Sequence, residues 1–146
     1  TAILGPSLIN TMIAVGIVYV PHYARIVRSA VLSLKEQLFV EAVHSLGGST
    51  LRIVARHVLP NTLPPIIVYA TLGMGTAVLQ AAALGFLGLG AQPPMPEWGA
   101  MLSEGRQYIQ LAPHVAGFPG LAIFTLVLGF NLFGDGLRDI LDPSLR

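Results

Sequence analysis

Cysteine is absent from the 146 residues, which excludes a disulfide and any thiolate-held metal centre, so the compartment has to be read from charge placement. Charge itself is scarce. Asp, Glu, Lys and Arg make up 10% of the chain, against about 25% in soluble domains, and mean hydropathy is +0.71. Charged residues are missing altogether from 1–24, 57–96 and 107–134. A water-soluble globule would need polar outer faces on helices drawn from those runs, and the runs offer none. The net charge of +1 gives no reason to expect nucleic acid as a partner. A basic segment ahead of the first apolar run is also lacking, which argues against a secretory signal, and the start at Thr1 rather than Met fits a fragment.

What the charge-free runs supply is length. A helix needs about 20 mainly apolar residues to cross a hydrocarbon layer of about 30 Å, and lipid cannot satisfy free backbone groups, which favours helices. The expected architecture is an all-α polytopic membrane bundle with three spans, at about 3–20, 64–89 and 113–133, forming one domain over 1–146. Pro93, Pro94 and Pro96 are expected to end the second span. Trp98 and Tyr108 suit an interface after it. Five of the eight Lys and Arg lie in 21–63, two lie after 134, and only Arg106 lies in 91–112. By the positive-inside rule the loop from 21 and the C-terminus are cytoplasmic and 91–112 is external, where Glu97, Trp98 and Glu104 could meet a binding protein. Gly73, Ala77, Ala81 and Gly85 fall four apart, a face on which another helix can approach closely.

The segment between the first two spans reads as two short helices. From Glu36 to Leu46, the apolar Phe39, Val43 and Leu46 share a helical face, with Glu41, His44 and Ser45 elsewhere. Gly47-Gly48 can supply the left-handed residue that ends this helix, and Ser49 or Thr50 can cap the next. In the second helix Leu51, Val54, Ala55 and Val58 share a face, Arg52 and Arg56 sit four apart, and Pro60 is expected to stop it. The result is a helix-turn-helix over about 36–60.

Glu41-Ala42-Val43, three residues, Gly47, and then Leu59-Pro60 resemble the EAA loop of ABC-importer permeases. Val43 replaces the second Ala of that pattern and His57 stands at its Ile position. Tyr23-Ala24-Arg25 through Leu34-Lys35-Glu36, Phe86 to Gly90, Trp98-Gly99 and Asn131-Leu132 through Asp142-Pro143 extend the resemblance to the dipeptide, oligopeptide and nickel importer permeases. The resemblance implies a permease subunit of a bacterial inner membrane that carries peptides. Its loop, through Glu41, Ala42, His44, Ser45, Gly47, Leu59 and Pro60, would dock as a coupling element on ATPase subunits. It further implies two ATP-binding subunits holding ATP and Mg, a second homologous permease and an extracytoplasmic substrate-binding protein, with membrane lipid around the spans and no cofactor on this chain. Nickel or another small solute is the alternative cargo.

No catalytic or metal-binding set is apparent. His22, His44, His57 and His114 are scattered, without the spacing that places two ligands on one helix face. Asp135 to Asp139 resembles part of the acidic motif of membrane phosphatidyltransferases but lacks its later aspartates, and a short tail helix stopped by Pro143 accounts for it. Gly85 to Gly90 is not a phosphate loop, since no strand precedes it and no Lys follows. A membrane enzyme of lipid precursors would need clustered acids or histidines at one interface. A purely structural membrane subunit is the third class. Within the spans Asn10, Gln80 and Asn131 are candidates for lining a translocation path or for bonding between helices.

Overall fold

The computed structural model describes residues 5–141. Among them every regular element is helical: α1 (Leu8–Lys35), α2 (Leu38–Ser45), α3 (Thr50–Ile53), a π turn (Val54–Val58), α4 (Leu59–Phe86), α5 (Trp98–Gly105), a 3-10 turn (Arg106–Tyr108) and α6 (Pro113–Leu141). The all-α architecture is as expected. α3, the π turn and α4 form one unbroken helix of 37 residues, Thr50–Phe86. α4 is central, packing on α1, α5 and α6, while α5 fills the angle between α4 and α6.

Packing runs antiparallel. Thr11, 1% exposed, places its hydroxyl 2.9 Å from both the Ser7 carbonyl and the Leu89 carbonyl, tying the start of α1 to the chain just beyond α4. Further along, the Tyr23 hydroxyl donates to the Tyr69 carbonyl at 3.2 Å. Arg138 in α6 lines a cavity with Asn61 and Pro64 at the start of α4. Arg28, Lys35, Arg52, Arg56 and Arg138 therefore gather toward the end that holds α2 and α3. Arg106 stands toward the other.

Two helices pair the length of a membrane crossing with an apolar window, Thr50–Phe86 and Pro113–Leu141, at mean hydropathies of 1.6 and 1.8. Only 22% and 11% of those windows is buried inside the chain, so their apolar faces point outward, the reverse of soluble core helices. The accessible surface of 10,285 Å² compares with about 7,200 Å² for a compact soluble monomer of this mass. Such a surface needs lipid or protein around it. The first expected span behaves differently. α1 is 28 residues long, but Pro21-His22-Tyr23 and Arg25 interrupt its apolar stretch and hold it below the hydropathy of the other two, and Ile3 and Leu4 lie outside the described residues.

Three helix ends differ from expectation. Pro60 does not stop a helix. Its nitrogen cannot donate and its ring crowds the carbonyl four residues back; the turn before it widens to π spacing, with the Leu59 N–H donating to the Val54 carbonyl, and the helix continues. α4 ends at Phe86, ahead of the prolines, because Gly88 takes φ +76°. Its N–H donates to the Gly85 carbonyl and the Leu89 N–H to the Leu84 carbonyl, both at 2.9 Å, which satisfies the last carbonyls. Finally, Asp135 to Asp139 belongs to a single α6 running to Leu141 rather than to a separate tail helix, since nothing between Phe133 and Leu141 breaks the hydrogen-bond ladder; Asp142, Pro143 and Arg146 lie outside the described residues.

Candidate functional site

At the α2–α3 corner, α2 ends as its sequence suggests. Gly47 adopts φ +82°, its N–H donates to the His44 carbonyl at 3.0 Å, and the Gly48 N–H donates to the Val43 carbonyl at 3.1 Å. Gly48 is closely seated, since a Cβ there would lie 2.8 Å from the Val43 carbonyl oxygen. Ser49 occupies the cap position of α3 in extended conformation but makes no side-chain cap bond.

The corner has an apolar base of its own. Val40, Ile53 and Val58 are buried together, with Val31, Leu34 and Val43 packed against them, so the end of α1, α2 and the root of α4 share one small core. The inward faces are not those that regular helical spacing suggests. In α2 the inward pair is Val40 and Val43, while Leu46 is 87% exposed and Phe39 turns outward, its ring 6.4 Å from that of His57. In the next helix Ile53 and Val58 point in, and Leu51 is 80% exposed. Five residues apart on an α-helix would diverge by about 140°; the π turn between Ile53 and Val58 brings them to one side.

The outer surface of the corner carries most of the residues singled out from sequence. Glu41, Ala42, His44, Ser45 and Gly47 are all exposed. Around them stand Leu38 at 82%, Leu46 and Leu51, so a polar centre has apolar knobs at its margin. Leu59 and Pro60 are also exposed, but they sit within the continuous helix rather than at a loop end. The corner is thus a packed base with a partly apolar outer face, joined by an unbroken helix to the apolar core of α4.

The whole sequence matches one family. The model of the binding-protein-dependent transport system inner membrane component covers residues 1–146. The chain belongs to that family. Among its curated relatives, the dipeptide transport system permease protein DppC of Alkalihalophilus pseudofirmus is 61% identical over 145 residues, covering 99% of this chain and 48% of that protein. The glutathione transport system permease protein GsiD of Escherichia coli and that of Shigella flexneri are each 54% identical over the same length and shares. The chain spans about half the length of the curated relatives it matches.

In this permease-family chain the three candidate path residues do not share one site. Asn10 donates from its amide to the Gly5 carbonyl at 3.1 Å near the start of α1, Asn131 is exposed on α6, and Gln80 lines a groove between α1 and α4 with Tyr19, His22, Tyr23, Arg25 and Tyr69. The small-residue face divides. Gly73, Ala77 and Ala81 line an apolar cleft against Met12, Val15 and Gly16 of α1, whereas Gly85 lies under the Glu97 carboxylate. Glu97 is committed to capping α5, accepting from the Gly99 N–H at 2.9 Å and the Ala100 N–H at 2.8 Å, which leaves Trp98 and Glu104 exposed on that loop. No group of three or more His, Asp or Glu suited to a metal occurs among the described residues.

Proposed function

We propose that this chain forms part of the translocation path of an ATP-driven importer of short peptides and that its α2–α3 corner is the surface engaged by ATP-binding subunits. The observation that carries the reading is the join between an outward face of Glu41, Ala42, His44 and Ser45, flanked by exposed leucines, and an unbroken helix leading into α4. A lever must offer a surface, resist bending and connect to what it moves. The buried Val40, Ile53 and Val58 stiffen the base, and apolar side chains at the margin of a polar patch suit a protein groove that excludes water. The names of the dipeptide and glutathione permeases support short peptides as the cargo.

In this reading α1 crosses the membrane as well, with its Pro21 to Arg25 belt facing protein or water rather than lipid. The corner and the C-terminus face the cytoplasm, where the cations of that end belong. Residues 91–112 lie outside, where Trp98 and Glu104 can meet a substrate-binding protein. A second homologous permease completes the path. The chain binds no cofactor and catalyses no reaction of its own; two partner subunits hold ATP and Mg and supply the work.

The test is affinity purification of the full-length subunit from membranes, with and without Gly47→Pro. Proline fixes φ near −65°, incompatible with +82° at Gly47, and removes the N–H that His44 accepts. Two ATPase subunits and a second permease should accompany the unsubstituted protein, and the ATPases should be lost from the variant while the second permease remains. An unsubstituted subunit that brings no ATPase in mild detergent ends the proposal.

A further inference from the structure

The α1–α4 groove has a chemistry that packing does not account for. Its volume is about 500 Å³, and seven of its ten lining residues carry a polar group, whereas the adjoining cleft between the same helices is lined mainly by Ala, Gly, Val and Met. One wall is fixed: Tyr23 is held by its bond to the Tyr69 carbonyl, and Gly73 gives its hydroxyl the room that a Cβ would take. Tyr19 stands beside it, ring centroids 6.0 Å apart, with its hydroxyl buried and without a hydrogen-bond partner. Arg25 lines the same groove and makes no ion pair among the described residues, and no Asp or Glu lines it. Hydroxyl, guanidinium and the Gln80 amide therefore supply donors and a positive charge with no carboxylate to match it. A buried hydroxyl without a partner is costly, and the guanidinium beside it offers a negative group both charge and paired hydrogen bonds.

The geometry points to this groove as a transient binding site for the carboxylate of a short peptide, with Arg25 as the charged contact and Tyr19 and Gln80 as neutral donors. The inference rests on the peptide-import reading and adds a location and a recognising charge to it. The volume suits a small ligand, and a guanidinium matches a carboxylate in two parallel hydrogen bonds. Because the groove is walled by Tyr19, Tyr23 and Arg25 of α1 on one side and by Tyr69, Gly73 and Gln80 of α4 on the other, a movement of α4 relative to α1 would alter its width.

The experiment uses the full-length complex in proteoliposomes with its binding protein and ATP. A photo-crosslinking amino acid replaces Thr76 in the groove, and the probe is a radiolabelled dipeptide with a free C-terminal carboxylate. The dipeptide should label the subunit during turnover. Labelling should fall at least about tenfold in Arg25→Gln, as for the loss of a charge-assisted hydrogen bond, fall about threefold in Tyr19→Phe, and recover in Arg25→Lys. Undiminished labelling in both Arg25→Gln and Tyr19→Phe overturns the carboxylate contact. Absence of labelling while uptake continues overturns the groove as a site, the result expected if another helix of the full-length chain fills it. Failure of the unsubstituted complex to import any peptide would instead overturn the import reading itself.

Discussion

The corners at Gly47 and Gly88 are built from the same backbone device and put to opposite uses. In each, a left-handed glycine ends a helix and two N–H groups turn back to its last carbonyls. After Gly47 the chain leaves Leu46, Leu51 and the Glu41 face exposed. After Gly88 it folds back instead: Gly90 and Ala91 are buried, the Glu97 carboxylate lies over Gly85, and α5 settles on α4 with Gly99 against Ala82. Backbone chemistry alone thus does not mark a docking surface. The difference lies in whether the following residues bring their own partner, and the corner near Gly47 is the one that does not.

That comparison is most easily broken at Gly99. A Cβ there would collide with the Ala82 carbonyl group, which is backbone within the last turns of α4 and cannot step aside. Gly99→Ala should therefore destabilise the full-length subunit by about 3 kcal/mol, the upper part of the overpacking range. Thermal unfolding in detergent measures it. A melting temperature equal to that of the unsubstituted protein would show that α5 is loosely laid on α4 and that the two corners are alike.

At the other corner two adjacent glycines separate conformation from packing. Gly47 carries the positive φ but nothing lies within 4 Å of a Cβ built on it, whereas at Gly48 that Cβ would stand 2.8 Å from the Val43 carbonyl oxygen and 3.0 Å from a Val43 methyl. Gly48→Ala should cost about 2 kcal/mol through crowding and Gly47→Ala about 1 kcal/mol through the left-handed backbone. Melting temperatures of the two variants, with limited proteolysis between α2 and α3 as a local readout, give the order. The reverse order would mean that the turn conformation, and not contact with Val43, holds the corner.

The legible parts of this molecule were those governed by long runs and by glycine. Charge-free segments located α4 and α6, and Gly47-Gly48 located the corner, because lipid and left-handed backbone each select few residue types. Regular periodicity misled where the helix is irregular: the turn before Pro60 widens, so Ile53, and not Leu51 or Val54, joins the expected Val58 in pointing inward. At Gly88 the signal is a glycine followed by the apolar Leu89, which ends α4 before the three prolines downstream are reached. α1 is less legible as a span than α4 or α6, because its apolar start runs into the belt from Pro21 to Arg25 within one helix. The groove was hidden for another reason. Tyr19 and Tyr23 are four apart, and Tyr69, Gly73, Thr76 and Gln80 follow helical spacing, yet only antiparallel packing brings the two faces together. The roles expected for Glu41, Ala42, His44 and Ser45 rest on the resemblance alone; the structure adds that all four residues are exposed.

The smallest effect belongs to Asn61. Its amide donates to the His57 carbonyl at 2.6 Å, a group at the edge of the π turn, and Asn61 itself is exposed, so Asn61→Ala should lower stability by only about 0.5–1 kcal/mol. The informative quantity is local. If the side chain helps to hold the wide turn, amide hydrogen exchange at Val54–Val58 should quicken severalfold in the variant while exchange in the middle of α4 stays unchanged. Unaltered protection across Val54–Val58 would assign the turn to Pro60 alone, since its missing N–H and its ring act whether or not Asn61 is present. The root of α4 would then be fixed by covalent geometry, and the corner would move with it as one piece.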